Sequence, residues 1–264
     1  ENRPYKAVVT TVYDKTGDGG VDMLDVAELF KSGENELTEL NGNGDFRSKE
    51  CLALLDEADI VITNPPFSLF REYVAVLMEH QKHFIIIGNV NAITYKEIFP
   101  LLRDNQIWIG ASIHSGDRKF YVPDDYPLNA AGCGVDEDGR RFIRVKGVRW
   151  YTNLDLKQRH EEMILVKRYD SVEYSMFDNY DAINIDKTTD IPCDYAGIMG
   201  VPITFMDKYS PDQFEIIGLI AGNIRGLAGI ESKIGKDGPY INGRLKYGRV
   251  LVRNKHPEPP KKVK

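Results

Sequence analysis

Apolar positions in the first 110 residues fall into short continuous runs separated by stretches with helical spacing. Lys6 to Tyr13 is rich in β-branched residues and predicts a strand, whereas Lys15 to Gly20 and Lys31 to Gly44 are polar, glycine-punctuated and predict loops. Arg47 to Ala58 carries Cys51, Leu52, Leu54 and Leu55 at helical spacing, then Asp59 to Thr63 forms a compact apolar run. A second helical pattern spans Ser68 to His83, and Phe84 to Gly88 predicts another buried strand. Thr94 and Glu97 fit a capping box, with a helix to about Arg103 and a strand over Gln106 to Gly110. Strands that are apolar throughout, alternating with helices, indicate parallel strands covered on both faces. The expected fold class is therefore α/β, a doubly wound sheet.

Beyond Gly110 the pattern becomes strand-like runs divided by Gly, Pro, Asn and Asp: Phe142 to Thr152, Glu162 to Lys167, Gly200 to Phe205, Phe214 to Ile220 and Lys246 to Val252. These predict a β-rich, partly antiparallel continuation of the sheet with inserted loops. No linker composition marks a boundary. The expectation is one domain over 1–253, with a core α/β sheet at 1–110 and the remaining strands and insertions at 111–253. The Pro- and Lys-rich residues 254–264 read as a disordered tail.

At 264 residues the chain is long enough for one substantial core. Its longest apolar runs fall far short of the ~20 residues that cross a bilayer, so no membrane association is expected. Cys51, Cys133 and Cys193 are widely spaced, which fits a reducing compartment rather than a disulfide framework, and a cytoplasmic location is expected. No His, Cys, Asp or Glu set has metal-site spacing. No hydroxyl or thiol has a recognisable base partner, which argues against a covalent hydrolase. The net charge of −6 hides an asymmetry: residues 1–60 sum to −8 and residues 241–264 to +7. Residues 140–159 hold seven Lys or Arg against the single acid Asp155. A polyanion responds to local field, so a phosphate-binding face is compatible with an acidic chain; a merely solvated strand is the alternative.

The most specific chemistry lies in Asn64-Pro65-Pro66-Phe67, immediately after the strand at Asp59 to Thr63. Ligands of open parallel sheets bind at the carboxyl ends of the strands. Two prolines remove two backbone donors, fix φ and drive Asn64 out of the α region. The resulting stiff corner offers the Asn64 amide oxygen and the Pro65 carbonyl as acceptors, with Phe67 beside them to stack on a ring. It suits a planar group bearing an exocyclic NH2, whose two protons those oxygens would accept. A Pro-Pro loop that merely ends a strand is the plainer alternative. Asn43-Gly44 signals a turn before Asp45 and Phe46, an acceptor and a ring able to meet an adenine. If Lys6 to Tyr13 neighbours the strand at Asp59, both residues edge the same crevice as Asn64.

Gly44 to Ser48 and Ala58 to Arg71, which contains the Asn-Pro-Pro-Phe tetrapeptide, resemble the adenine-specific DNA methyltransferases of the EcoRI type. Ile87 to Glu97, Arg149 to Asp155, Asp178 to Asn184 and Gly200 to Phe205 extend the resemblance over roughly residues 43–253. It implies a Rossmann-like class I methyltransferase sheet, mixed and mostly parallel. It further implies transfer of a methyl group from S-adenosylmethionine to N6 of adenine in double-stranded DNA, with the base flipped into the pocket. Asn64, Pro65, Pro66 and Phe67 would then be catalytic, and Asp45 and Phe46 would contact the cofactor's adenine. Trp150 or Tyr151 would be the second stacking wall, and Arg144, Lys146 and Arg149 would contact nucleic acid. A cognate restriction endonuclease is expected without a physical complex. In this family the methionine end of the cofactor lies on a loop after the first strand, and residues 1–42 offer no good counterpart; the expectation is a missing N-terminal portion or divergent contacts. Two alternatives stand beside this reading: a non-catalytic DNA-binding protein on the same scaffold, and methylation of RNA or of protein glutamine.

Overall fold

A computed structural model describes residues 3–110, 117–129, 131–222 and 224–259. The chain divides into two compact units, one formed by 1–59 with 78–82 and the other by 60–77 with 83–264.

In the first unit, β1 (Tyr5–Val8) and β2 (Glu36–Glu39) form a two-stranded antiparallel ribbon, with Tyr5 opposite Glu39 and Val8 opposite Glu36. The expected strand at Lys6 to Tyr13 is thus short and pairs with a segment read as loop, so β1 is not a strand of a parallel sheet. Between them runs α1 (Met23–Lys31), started by a capping box of Asp22 and Asp25. Asp25 is fully buried, and its carboxylate accepts the amides of Asp22, Thr16 and Lys15. Those bonds, Asp22's foremost, hold it below the usual carboxylate range. Asp14 in turn accepts the amides of Gly17, Asp18 and Gly19. The glycine-rich loop is therefore folded on two aspartates, and its amide donors are spent internally. α2 (Lys49–Glu57) follows, N-capped by Ser48. Two groups from 78–82 tie to its far end: His80 to Asp56 at 2.7 Å, and Lys82 to the Asp56 and Ala58 carbonyls.

The second unit opens with β3 (Ile60–Thr63), the Asn64–Pro66 turn, a short 3-10 segment and α3 (Phe70–Glu79). Then come β4 (His83–Asn89), α4 (Phe99–Arg103), β5 (Trp108–Ile109), β6 (Asp117–Tyr121), β7 (Gly134–Val135), β8 (Arg141–Lys146) and β9 (Val148–Thr152). Its first sheet has the order β3-β4-β9-β5. β3 and β4 are parallel, as expected from their apolar runs, although Ile60 and Ile62 of β3 are exposed rather than covered, and β9 inserts antiparallel between β4 and β5. β6-β8-β7 form a separate antiparallel sheet. The rest comprises β10 (Ala182–Asn184), β11 (Ile198–Pro202), β12 (Phe214–Ile220), a small hairpin of β13 (Tyr240–Ile241) with β14 (Arg244–Leu245), and β15 (Arg249–Asn254). A second mixed sheet has the order β10-β11-β15-β12 and a core that includes Met199, Val201, Leu219, Ile220, Val250 and Leu251.

The architecture is α/β with mixed sheets, divided into several short sheets rather than one doubly wound sheet. Three expectations change in detail. The Thr94–Glu97 capping box does not form: α4 begins after Ile98 without a side-chain cap, Thr94 bonds the Asn91 carbonyl, and Glu97 faces Arg71 at 3.8 Å. Glu162 to Lys167 forms no strand ladder, only an isolated bridge from Lys167 to Pro192, and Ile164 and Val166 are exposed, since alternation without a neighbouring strand cannot make a sheet. Residues 255–259, placed in the tail by composition, are pinned: the amides of Lys255 and Glu258 bond the Gln213 and Cys193 carbonyls, and Arg168 pairs with Glu258. Residues 260–264 lie outside the described residues. Among the described residues no helix is long and apolar enough to cross a membrane.

The first sheet depends on Gly88 near the end of β4. A Cβ there would lie 2.6 Å from the Phe70 ring and 2.8 Å from the Tyr151 ring. Those rings meet edge to face with centroids 4.9 Å apart, both essentially buried. Phe70 is the first residue of α3, so the contact fixes the helix start and the turn before it. Gly88→Ala is expected to cost about 1–3 kcal/mol through overpacking, read as a lower midpoint in urea unfolding. An unchanged midpoint would mean that the two rings are not held against β4.

Candidate functional site

Asn64 to Phe67 leave the carboxyl end of β3, the outer strand of the first sheet. Pro66 adopts φ −55° and ψ 129°, and its carbonyl accepts the Leu69 amide at 2.9 Å, starting the short 3-10 segment. No hydrogen bond occupies the Pro65 carbonyl or the Asn64 amide among the described residues. Asn64 is exposed, Pro65 is buried, and Phe67 is 37% exposed. The turn thus presents the Asn64 side chain and the Phe67 ring at the surface, while Pro65 is buried and Phe70, three residues on from Phe67, is locked beneath it.

Register identifies the neighbours. Thr63 pairs with Ile86, and Ile87 pairs with Trp150, so Asn64 lies level with Ile87 and Trp150. Two strand spacings, roughly 10 Å, separate β3 from β9. Trp150 is half-buried and belongs to the face opposite Tyr151. Tyr151 is fully buried, packs on Phe70 and donates to the Asn89 carbonyl at 2.9 Å. Burial drives its phenol far above the ordinary range. Tyr151 is therefore a core residue and not a stacking wall, which leaves Trp150 as the wall candidate. Beyond β4, Tyr95 stacks under the Arg71 guanidinium at 5.4 Å and Arg71 faces Glu97, a cluster beside the turn that sequence reasoning passed over. Its sequence signals were the segments Ala58 to Arg71 and Ile87 to Glu97 within the family resemblance.

The basic stretch divides at Gly147, whose φ of +69° joins β8 to β9. The Gly147 carbonyl accepts the Val90 amide at 2.6 Å and the Lys146 carbonyl accepts from Asn89. These bonds fasten β8 to the carboxyl end of β4, one strand from the Asn64 turn. Cross-strand pairs put Lys119 opposite Arg144 and Tyr121 opposite Phe142. Lys119 lies 4.3 Å from the Phe142 ring, Arg140 4.4 Å from Tyr121 and Arg144 5.8 Å from Phe142. Lys119 and Arg140 also pair with Asp136. Arg144 and Lys146 are exposed and form no ion pair among the described residues. Arg149 departs from the expectation. It is buried and bonded bidentately to Asp207 at 2.6 and 2.9 Å, and it also donates to the Val148 carbonyl, so it is not on the exposed basic face.

Asp45 and Phe46 belong to the first unit, Asn64 to the second. Arg47 grips the Asp45 carboxylate through Nε at 3.0 Å and Nη2 at 2.8 Å, holding it down at about 2, and its guanidinium lies 5.1 Å from the Phe46 ring. An acceptor and a ring are thus adjacent, as an adenine contact needs, with Arg47 competing for both. No group of three or more His, Cys, Asp or Glu able to hold a metal occurs among the described residues.

An α/β fold with an Asn-Pro-Pro-aromatic turn ending a parallel strand, and a basic ribbon fastened beside it, fits the methyltransferase class. Over residues 1–255 the chain matches the family described as adenine-specific methyltransferase EcoRI, and it belongs to that family. It is 46% identical over 216 residues to the type II methyltransferase M.EcoRI of Escherichia coli, a match covering 81% of this chain and 63% of that protein, less than two thirds of its length. It is also 36% identical over 239 residues to the type II methyltransferase M.MpnI of Mycoplasma pneumoniae, covering 86% and 73%. No solved structure matches the chain.

The Arg149–Asp207 pair yields a stability test. Asp207→Ala leaves a buried guanidinium uncompensated and is expected to cost about 3–5 kcal/mol in chemical denaturation. Arg144→Ala, at the surface, should stay within about 0.5 kcal/mol of the parent. Equal, small effects would return Arg149 to the exposed basic face.

Proposed function

We propose that the chain transfers a methyl group from S-adenosylmethionine to N6 of an adenine in double-stranded DNA, on a Rossmann-like class I scaffold. The observation that supports this most is the Asn64–Phe67 turn, with two acceptors left unoccupied at the carboxyl end of a parallel strand. The adenine amine donates one proton to the Asn64 Oδ1 and one to the Pro65 carbonyl. That geometry draws the nitrogen lone pair out of conjugation with the ring and points it away from both acceptors. Phe67 stacks on the base and Trp150 stands level with the turn as the opposite wall. Extruding a base costs a few kcal/mol, and each aromatic stack returns about 1–3 kcal/mol. Two walls therefore suffice to offset the cost. When bound, S-adenosylmethionine supplies an electrophilic methyl group, and Asp45 and Phe46 would hold its adenine once Arg47 yields.

Arg144 and Lys146 contact the phosphates of the flanking duplex, with Lys119 in support. Their carriage on β8, fastened to β4 at Gly147, sets the duplex beside the pocket. The type II designation of the relatives supports a restriction–modification setting, with a cognate endonuclease acting on the same DNA and no complex between the two.

Labelled methyl transfer to adenine-containing duplex DNA tests the pocket. Asn64→Ala should reduce transfer by at least about 100-fold, as loss of a transition-state hydrogen-bond acceptor does, with the unfolding midpoint unchanged. Unchanged transfer would remove Asn64 from the reaction. In a separate binding measurement, Arg144→Ala and Lys146→Ala should each lower the slope of log affinity against log salt by about one. An unaltered slope would reduce β8 to a solvated face.

A further inference from the structure

The hairpin of β13 and β14 is rigidly held and carries exposed side chains that the Asn64 turn does not use. Its loop is Asn242-Gly243, and both residues have positive φ, +51° and +72°, as a two-residue type I′ hairpin requires. Asp178 fastens the loop: one carboxylate oxygen accepts the Asn242 amide at 3.1 Å, the other accepts the Gly243 amide at 2.7 Å, and the Asp178 amide donates to the Tyr240 carbonyl. Asn179 is fully buried; it donates to the Lys236 and Gly238 carbonyls and accepts the Tyr240 amide. Ile241 roots the hairpin in the core of the second mixed sheet, among Ala182, Ile220 and Leu251. At the far end, buried Arg249 donates to the Tyr247 carbonyl, and the Lys246 amide donates to that of Pro239. The backbone from Asn242 to Tyr247 is thus pinned at both ends, yet all six residues are exposed.

The side chains on this segment suit a polyanion. Those of Arg244 and Lys246 form no ion pair or hydrogen bond among the described residues, so their donors are available. Tyr247 is 89% exposed on a fixed backbone. Residues 222–249 hold six Lys or Arg against the acids Glu231 and Asp237, a local field that an acidic total conceals. Arginine, lysine and tyrosine are among the side chains that bond DNA phosphates, and a segment already fixed in place loses little freedom on binding. We infer that the Arg244–Tyr247 edge of this hairpin is a second contact with the backbone of double-stranded DNA, Arg244 and Lys246 each neutralising a phosphate and the Tyr247 hydroxyl donating to a phosphate oxygen. The inference rests on duplex DNA as the substrate and adds an anchoring surface beyond β8. It also gives the Asp178-Asn179 pair, which opens one of the segments resembling the methyltransferase family, a role in holding that surface in place.

Fluorescence anisotropy of a labelled mixed-sequence duplex, titrated with the full chain over a range of salt, tests this. Arg244→Ala and Lys246→Ala should each lower the slope of log affinity against log salt by about one, and these losses should add to that of Arg144→Ala. Tyr247→Phe removes no charge, so it should weaken binding about threefold or more at fixed salt with the slope unchanged. All three side chains are exposed, and the unfolding midpoints should match the parent's. Unaltered slopes in the two hairpin variants, with the parent still methylating DNA, would overturn the inference and leave the methyltransferase reading standing. Slope losses seen with duplex RNA but not with duplex DNA would overturn the assignment to DNA. A parent chain that binds no duplex DNA at all would overturn both readings together.

Discussion

The bare Cα of Gly88 is the constraint on which the position of the Asn64 turn depends. It lets the Phe70 and Tyr151 rings close over β4, joining the first residue of α3 to the strand next to β3 and to β9 beyond it. A stiff Pro-Pro corner alone defines the shape of a turn but not its position. Here its downstream end is fixed by a buried aromatic three residues past Phe67, and its upstream end by parallel pairing of Ile60–Thr63 with His83–Ile86. On the proposed function, pre-organisation of this kind would let two weak acceptors act on an amine without reorganising when a base arrives.

Electrostatics divide the same region in two. Arg149 and Asp207 form a buried bidentate pair that ties β9 to the 3-10 segment after β11, within the protein's own framework. A few residues earlier, Arg144 and Lys146 leave the same continuous stretch of chain for solvent. The division falls at Gly147, where the positive φ turns the strand and hands β8 to a different sheet. Cations a few residues apart thus have opposite fates, Arg149 serving cohesion of the core and Arg144 and Lys146 left to solvent, where the proposed function puts them on phosphates.

This explains what the sequence could and could not convey. Continuous apolar runs identified β3 and β4 as parallel strands, although the burial that such runs imply is only partly met: β4 has one buried face and one half-buried face, and Ile60 and Ile62 of β3 are exposed. The Asn64–Phe67 turn was legible because two prolines dictate backbone geometry locally. The partner of β1 was not legible: a short β-branched run does not encode the direction or identity of its neighbour, and β2, written Glu-Leu-Thr-Glu, looks like a loop. Arg149 and Tyr151 were misplaced because a count of cations or rings along a strand ignores which face each occupies. Tyr151 faces Phe70, Arg149 faces Asp207, and Trp150 between them takes the other side.

The central claim is that the Asn64 turn holds the amine of an adenine. Its most direct test is the chemical identity of the product, found by digesting DNA exposed to the protein and S-adenosylmethionine to nucleosides and separating them by mass spectrometry. The account predicts N6-methyl-2′-deoxyadenosine as the methylated nucleoside. Methyl groups recovered on cytosine, or only on RNA or protein offered in the same reaction, would contradict it.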